Sequence, residues 1–341
     1  MAGRLTMARR PGLPIIPASF FGIVLGLAGL GGTWRAAHQA WGLPAAVADA
    51  IMAVATLVWA SLLLLYAWKW IAAREAALAE LAHPVQCCFV GLAGVATMLV
   101  AGGAIPHSRT AAIVLFAAGC AFTFGFAVWR TGGLWLGGRD QGGTTAVLYL
   151  PSVAGSFVAC TVGAALGWPD WGRLAFGSGL FSWLAIESVL LNRLLTTPGL
   201  PGALRPTLGI QLAPPAVGAV ALLTVAPGEA DLLAEAMIGY GLLQALVLLR
   251  LLRWITREPF TASYWSFAFG ATALATAPLR LIAQGKGGAV EVVAPVLFVL
   301  ANLLVLGIAA GTVFRAAQRR LFAPPDGGGH AADVGHATDT G

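Results

Sequence analysis

The stretch PASFFGIVLGLAGL at residues 17–30 opens the first of five related segments, each combining glycine with proline or aromatic residues at the start of an apolar run. The other four openings contain Pro84, Phe89 and Gly91; Pro151, Gly155 and Phe157; Pro206, Gly209, Pro214 and Pro215; and Trp265, Phe267, Phe269 and Gly270. Their starts are about 55 to 67 residues apart, enough for two membrane helices and short connections. The sequence therefore predicts five copies of a two-helix unit.

Composition places these units in a membrane. Of 341 residues, 58% are hydrophobic and 10% are charged, whereas about a quarter of the residues of a soluble domain are charged. Because a membrane-spanning helix needs about 20 apolar residues, ten helices account for most of the chain. The predicted helices cover about 15–37, 45–73, 84–104, 110–135, 145–167, 171–194, 205–226, 230–254, 263–283 and 289–315.

The charge distribution predicts the orientation. Lys and Arg accumulate in cytoplasmic loops, and fifteen of the twenty basic residues lie in the N-terminal segment, the C-terminal tail or next to the loops after even-numbered helices. Both termini are therefore expected in the cytoplasm, as segments 1–14 and 316–341 around a membrane domain at 15–315. The tail is predicted to be largely disordered. The net charge of +6 then reflects topology, and no nucleic-acid partner is expected.

The odd-numbered helices contain the repeated glycines and prolines, which favours an inner position for them. Glycine permits close helix approach, and proline bends a helix and frees carbonyl groups. Five hairpins could then close into a ring around a lumen, with the even-numbered helices outside. Tight packing without a continuous pore is the alternative interpretation.

No motif for catalysis is found. HExxH, Walker, GxSxG and paired intramembrane carboxylate patterns are all missing from the sequence. We expect no enzymatic activity, no cofactor and no metal site. Histidines 330 and 336 lack a fixed ligand geometry, and the cysteines are interpreted as small buried apolar residues; they are Cys87, Cys88, Cys120 and Cys160.

Two charged residues inside or near helices have open roles. Glu187 lies within the sixth predicted helix and is a candidate proton site. Because buried charges normally pair, a structural ion pair with Arg250 or Arg253 is the favoured interpretation. Arg280, near the outer end of the ninth helix, either attracts anions at a vestibule or marks the membrane interface.

Several segments together resemble the tellurite-resistance/dicarboxylate transporter (TehA) family, which is related to the plant slow anion channels. They are PASFFGIVLGLAGL (17–30), HPVQCCFVGLAGVATML (83–99), LYLPSVAGSF (148–157), FGSGLFSWLAIESVLL (176–191), RPTLGIQLAP (205–214), GYGLLQALVLLRL (239–251) and YWSFAFG (264–270). The resemblance covers nearly the whole membrane portion. It departs from the bacterial pattern at Gly94, where relatives often have proline and a sharper kink.

The resemblance implies an all-α membrane protein with ten helices as five hairpins in a quasi-fivefold ring. It also implies a homotrimer, one pore in each protomer and selectivity for anions. The position of YWSFAFG implies that Phe269 is an aromatic pore gate, and Gly22 and Val217 match positions that line the pore beside it. Phe267 would point about 200° away on a helix and is the weaker candidate.

The leading hypothesis is a passive anion channel or channel-like exporter in the cell inner (plasma) membrane. Its partners would be small inorganic or carboxylate anions and the lipid bilayer. The membrane potential supplies about 2.3 kcal/mol per charge per 100 mV for such transport. The alternatives are a proton-coupled secondary transporter for tellurite or C4-dicarboxylates, with Glu187 carrying the proton, and a sealed membrane scaffold or sensor.

Overall fold

Ten helices long and apolar enough to cross a membrane occur in the computed structural model, which describes residues 13–137 and 143–318. We number these spans in chain order: Ala18–Trp41, Ala45–Ala72, Gln86–Ala104, Arg109–Trp135, Ala146–Ala165, Pro169–Thr196, Gly202–Val225, Asp231–Ile255, Ala262–Ala283 and Ala289–Ala317. An additional short helix, Arg74–Ala82, lies between spans 2 and 3. No β-strand is found within the two described ranges.

The ten predicted helices are confirmed, and every predicted end lies within four residues of the observed one. The largest difference is at the end of span 1, predicted at residue 37 and observed at Trp41. The helix continues until Gly42, which has a left-handed backbone (φ 72°) and donates its N–H to the His38 carbonyl. The polar residues before it therefore belong to the helix end and not to the loop. Most of segments 1–14 and 316–341, including histidines 330 and 336, lies outside the described residues.

The odd-numbered spans begin with tighter or wider turns before the α-helix starts. These turns are 3₁₀ segments at Ala18–Phe20, Gln86–Phe89, Ala146–Leu148, Gly202–Leu212 and Ala262–Trp265, and a π-helical segment at Leu150–Ala154. The α-helices follow at Phe21, Leu92, Gly155, Ala213 and Ser266. Irregular backbone is tolerated within a bilayer only where protein buries it or where it lines a cavity.

Burial separates the two sets of spans. In the most apolar window of each span, 61–89% of residues are buried in odd-numbered spans but only 17–28% in even-numbered ones. The even-numbered spans expose large apolar side chains such as Leu57, Val128, Phe181, Leu249 and Leu303. The odd-numbered spans therefore form the interior, and the even-numbered spans present the surface suited to lipid.

Helix contacts follow a regular scheme. Each odd-numbered span contacts the even-numbered span that follows it. Span 1 also contacts spans 3 and 9, span 5 contacts spans 3 and 7, and span 7 contacts span 9. The irregular segments that open the odd-numbered spans contact one another in the same order. All five therefore begin at one side of the bundle, which we call the N-side; the far side contains the connections 42–44, 105–108, 166–168, 226–230 and 284–288.

The short helix Arg74–Ala82 fastens the start of span 1 to span 2. Its Glu80 carboxylate accepts hydrogen bonds from the Ala18 backbone N–H (2.8 Å), the Tyr66 hydroxyl (3.1 Å) and the Lys69 ammonium (2.8 Å). The Lys69 and Glu80 side chains are only 5% and 6% exposed. Sequence patterning missed this helix because nine residues with three charges resemble a polar connection.

Spans 3 and 4 approach each other closely at a pair of glycines. A Cβ atom added to Gly94 would lie 2.8 Å from the Gly119 carbonyl oxygen, and one added to Gly119 would lie 2.8 Å from the Gly94 carbonyl oxygen. Such contact between backbones is typical of small residues at membrane helix interfaces. Gly94 therefore serves close packing in this chain.

We predict that Gly119→Ala lowers the thermal unfolding temperature of the detergent-solubilised protein, because its methyl group meets backbone atoms. Overpacking of this kind costs about 1–3 kcal/mol. Gly125→Ala is the matched control on the same helix, since a Cβ there meets nothing within 4 Å. The control should be neutral or stabilising by up to about 1 kcal/mol, because alanine is the better helix former. Equal unfolding temperatures for the two variants would contradict close packing at Gly119.

Candidate pore site

A cavity inside the bundle is lined by residues from all five odd-numbered spans. The cavity is narrow, because only about 60 Å³ of it is accessible to the centre of a water molecule. None of its lining residues is charged: they are Ser19, Gly22, Leu25, Phe89, Leu92, Tyr149, Leu150, Val153, Ala154, Phe157, Ile210, Ala213, Pro214, Val217, Ala262, Ser263, Trp265, Ser266 and Phe269. The cavity is therefore an uncharged, largely apolar chamber.

Four of the five inner spans begin close to this cavity. In spans 1, 3, 5 and 9, a residue within three positions of the first helical residue lines it: Ser19, Phe89, Tyr149 and Ala262. Span 7 reaches the cavity only at Ile210, eight residues after its first residue. The N-terminus of an α-helix carries roughly half a positive elementary charge from its aligned peptide dipoles. Four helix N-termini thus direct positive potential toward a chamber whose lining, among the described residues, includes no charged side chain.

The three residues assigned to the pore by resemblance lie on this one cavity. Phe269 extends from span 9, Gly22 from span 1 and Val217 from span 7. Phe267 is placed elsewhere: it is 8% exposed, stacks with the Tyr264 ring at 6.4 Å and packs on Gly209 of span 7. The two phenylalanines, two residues apart, therefore point in different directions, as the helical periodicity predicts.

A row of glycines on span 1 brings span 9 close to it. Added Cβ atoms would lie 3.7 Å from Trp265 Cβ at Gly22, 2.7 Å from Ala268 Cβ at Gly26 and 3.2 Å from Phe269 Cδ2 at Gly29. Trp265 is also anchored to span 10, because its indole N–H donates to the Thr312 hydroxyl at 2.9 Å. The backbone that presents Phe269 to the cavity is thus held from two sides.

Glu187 lies behind the cavity wall. Its side chain accepts hydrogen bonds from the Tyr149 hydroxyl, the Trp183 indole N–H (2.9 Å) and the Tyr240 hydroxyl (2.6 Å). Glu187 is 8% exposed and does not line the cavity, but Tyr149 does. A single tyrosine therefore connects the buried carboxylate to the chamber, and the carboxylate joins spans 5, 6 and 8.

The expected ion pair of Glu187 with an arginine of span 8 is wrong. Arg250 and Arg253 are exposed, and neither lies within 4.0 Å of a carboxylate in the described part of the chain. Glu187 lies at the level of Tyr240, which is ten residues from Arg250 and so about 15 Å away along the helix. The polar residues Tyr149 and Tyr240, isolated in apolar stretches, were the sequence signal for the true partners.

The cysteines fit the predicted apolar role. Cys87, Cys88 and Cys160 are buried, and Cys120 is partly buried. In the described ranges, no three His, Cys, Asp or Glu side chains are grouped in a way that could hold a metal ion.

Comparison with known proteins identifies the family. Residues 16–313 match the SLAC1 family, described as voltage-dependent anion channel. The chain belongs to this family. Together with the ten apolar helices, this membership makes it a multi-pass membrane protein.

Characterised relatives of this voltage-dependent anion channel family align along most of the chain. The chain is 33% identical to the tellurite resistance protein TehA homolog of Haemophilus influenzae over 308 residues, covering 90% of this chain and 93% of the relative. It is 26% identical to the S-type anion channel SLAH2 of Arabidopsis thaliana, covering 92% of this chain and 62% of that protein. The related channel SLAH3 is 23% identical, with 91% and 50% covered. The predicted resemblance to the TehA family and the plant channels is therefore confirmed.

We predict that Glu187→Gln destabilises the protein. Tyr149 and Trp183 donate to Oε2 of Glu187, and Tyr240 donates to Oε1. A glutamine oxygen in place of Oε2 can still accept two bonds, but its NH₂ group then faces the Tyr240 hydroxyl and the negative charge is gone, so at least one hydrogen bond to a buried carboxylate is lost. Hydrogen bonds to charged groups contribute about 1.5–3 kcal/mol each. The measurement is thermal unfolding in detergent, with Glu235→Gln at an exposed position of span 8 as the control. An unchanged unfolding temperature for Glu187→Gln would show that the charge of Glu187 and its bond from Tyr240 contribute nothing to stability.

Proposed function

We propose that this protein is a passive, anion-selective channel whose pore passes through the cavity enclosed by the five odd-numbered spans, with the Phe269 ring closing it. The observation that carries the proposal is the convergence of the N-termini of four inner spans on an uncharged chamber. Helix N-termini attract anions, whereas no lining residue in the described ranges offers a side-chain carboxylate to a cation. The family description and the names of the plant relatives agree with this assignment.

The proposed architecture is a quasi-fivefold ring of helical hairpins. It is supported by the contacts of the odd-numbered spans, which run from span 1 through spans 3, 5, 7 and 9 and back to span 1. It is also supported by the contact of every odd-numbered span with its following even-numbered span. In this arrangement each hairpin contributes one wall of the pore and one outward helix.

Selectivity among anions would be modest and would follow dehydration cost. The chamber offers the hydroxyl groups of Ser19 and Ser263, whereas the Ser266 hydroxyl donates to the Pro206 carbonyl oxygen. Among the described lining residues there is no charged ligand that could replace a hydration shell. Larger, weakly hydrated anions lose their water at a lower cost and would pass more readily. We extend this proposal to small inorganic anions and carboxylates.

The proposal also includes the orientation of the protein in its membrane and its assembly as a homotrimer. The excess of Lys and Arg near the N-side supports placing that side in the cytoplasm, with the protein in the cell inner (plasma) membrane. The homotrimer rests on the family resemblance. Because each protomer would contain its own pore, the channel would not depend on a residue contributed by a neighbour.

The coupled carrier is the main competing function. It needs an ionisable group that alternates between protonation states, and Glu187 is a buried carboxylate bonded to Tyr149 of the chamber wall. Three donors already hold that carboxylate, and Tyr149 separates it from the chamber. A sealed scaffold is the other alternative. A proton gradient that drives transport would favour the carrier, and impermeability under all conditions would favour the scaffold.

We predict that Phe269→Ala raises the anion current of the reconstituted protein at least about tenfold, equivalent to a barrier lowered by about 1.4 kcal/mol. Removing the ring opens the narrow chamber that it borders. The measurement is current against voltage in planar bilayers with chloride, nitrate or malate as the anion. The reversal potential should follow the anion gradient and should not move with a pH gradient.

Phe267→Ala serves as the control for this prediction. Its ring packs on Gly209 away from the chamber, so its loss should lower the unfolding temperature without raising the current. An unchanged or absent current in Phe269→Ala would remove the gating proposal. Equal increases in both variants would show that loosened packing, and not an opened gate, carries the ions.

A further inference from the structure

A second, wider opening lies at the far side of the bundle, at the C-terminal ends of the inner spans. About 440 Å³ of this cleft is accessible to the centre of a water molecule. It is lined by residues from the ends of spans 1, 7 and 9: Gln39, Leu223, Arg280, Ala283 and Gln284. Arg280 follows Phe269 by eleven residues on the same helix, which corresponds to about 16 Å toward the far side. The cleft therefore lies at the far-side ends of three spans that also border the chamber.

Arg280 differs from the other cations of this side in its partners. Its Nη1 atom donates to the Val220 carbonyl oxygen (3.3 Å) and to the Thr224 hydroxyl, both of span 7. Among the described residues, no carboxylate oxygen lies within 4.0 Å of it. Its Nε and Nη2 atoms have no acceptor there, and the side chain is partly exposed.

Each of the remaining basic residues on the far side either has an acidic partner or lies outside the cleft. Three form ion pairs: Arg35 with Asp49 (3.4 Å), Arg173 with Asp170, and Lys286 with Asp231 (2.6 Å). Arg109 donates to the Leu166 carbonyl oxygen (2.7 Å) at the exposed start of span 4 and does not line the cleft. Arg280 is thus the far-side cation of the described chain that combines a cleft position with unused donors.

The local chemistry favours an anion. A guanidinium has five N–H donors in a planar fork, and the amide groups of Gln39 and Gln284 add neutral donors at the cleft wall. The C-terminal ends of the inner helices present carbonyl oxygens with partial negative charge, which would repel an entering anion. A cation at this place offsets that repulsion, whereas a lysine or arginine on an even-numbered span does not.

We infer that Arg280, flanked by Gln39 and Gln284, forms an anion-binding site at the far-side mouth of the pore, where it concentrates small anions before they reach the chamber at Phe269. The site rests on the proposed channel function for its role in transport. Its binding chemistry can be measured independently of any current.

The first test measures chloride current in the Phe269→Ala background, with chloride varied on the far side. Adding Arg280→Gln should lower the current about threefold at about 10 mM chloride, the effect of one unit charge about 7 Å from a passing ion in water. The difference should vanish near about 1 M, where the Debye length is only about 3 Å. Arg280→Lys keeps the charge and should retain most of the current.

Two further variants keep this test decisive. Arg109→Gln removes a far-side cation outside the cleft and should leave the low-chloride current near that of the Phe269→Ala parent. Gln39→Glu places a carboxylate in the cleft at an exposed position and should lower the current as Arg280→Gln does, even if Arg280→Gln fails to fold. Equal currents for Arg280→Gln and Arg109→Gln at every chloride concentration would overturn the site. A loss in Arg280→Lys as large as in Arg280→Gln would also overturn it, because the guanidinium would then act only through Val220 and Thr224.

The second test measures binding without transport. Chloride added at constant ionic strength, with gluconate as the replacement, should raise the unfolding temperature of the otherwise unmodified protein in a saturable way. Arg280→Gln and Gln39→Glu should reduce that rise, and Arg109→Gln should not. No chloride-dependent rise in the unmodified protein, or an equal rise in Arg280→Gln, would overturn the site. The two proposals can fail separately. If Phe269→Ala carries no anion current but the chloride-dependent rise in unfolding temperature still requires Arg280, the channel proposal fails and the binding site stands.

Discussion

The close approach of span 1 to span 9 is the constraint on which the interior of this protein depends. Gly22, Gly26 and Gly29 leave no side chain on the face that meets Trp265, Ala268 and Phe269. A helix pair with ordinary side chains at these positions would be farther apart. This contact joins the first inner span to the last, and it fixes the backbone that directs Phe269 into the chamber. In a bilayer, where lipid tails solvate apolar side chains as well as a protein interior does, such packing contributes directly to helix association.

The second organising feature is the separation of charge from the chamber. Charged side chains lie at the two ends of the bundle or in sheltered clusters, such as Lys69 with Glu80 and Glu187 with its tyrosine and tryptophan donors. The chamber itself receives its electrostatic character from the helix N-termini around it. An ion would therefore meet a positive potential without a fixed counter-charge that binds it tightly. Weak binding of this kind suits rapid passage, whereas a buried ion pair in the path would hold the ion.

Sequence patterning predicted the ten spans well, because each is an apolar run long enough to cross a bilayer and is bounded by charge, proline or glycine. It failed where the pattern is short or where partners are distant in sequence. The helix Arg74–Ala82 has the composition of a connection, and its role depends on the buried Glu80 contacts. Glu187 was assigned an arginine partner by a general rule about buried charges. Its actual partners, Tyr149 and Tyr240, are 38 and 53 residues away and become neighbours only when spans 5, 6 and 8 pack.

The sequence by itself determined the membrane class, the number of helices and the end of the bundle near which most basic residues lie. Through resemblance it also predicted Phe269, Gly22 and Val217 as pore residues. These follow from local composition and from motifs, which need no knowledge of packing. Only the tertiary structure decided that these three residues lie on one chamber, that the N-termini of four inner spans meet there, and that Arg280 reaches an open cleft without an acidic partner in the described part of the chain. Such properties depend on distances between residues far apart in the chain, and those distances are set when the inner spans pack against one another.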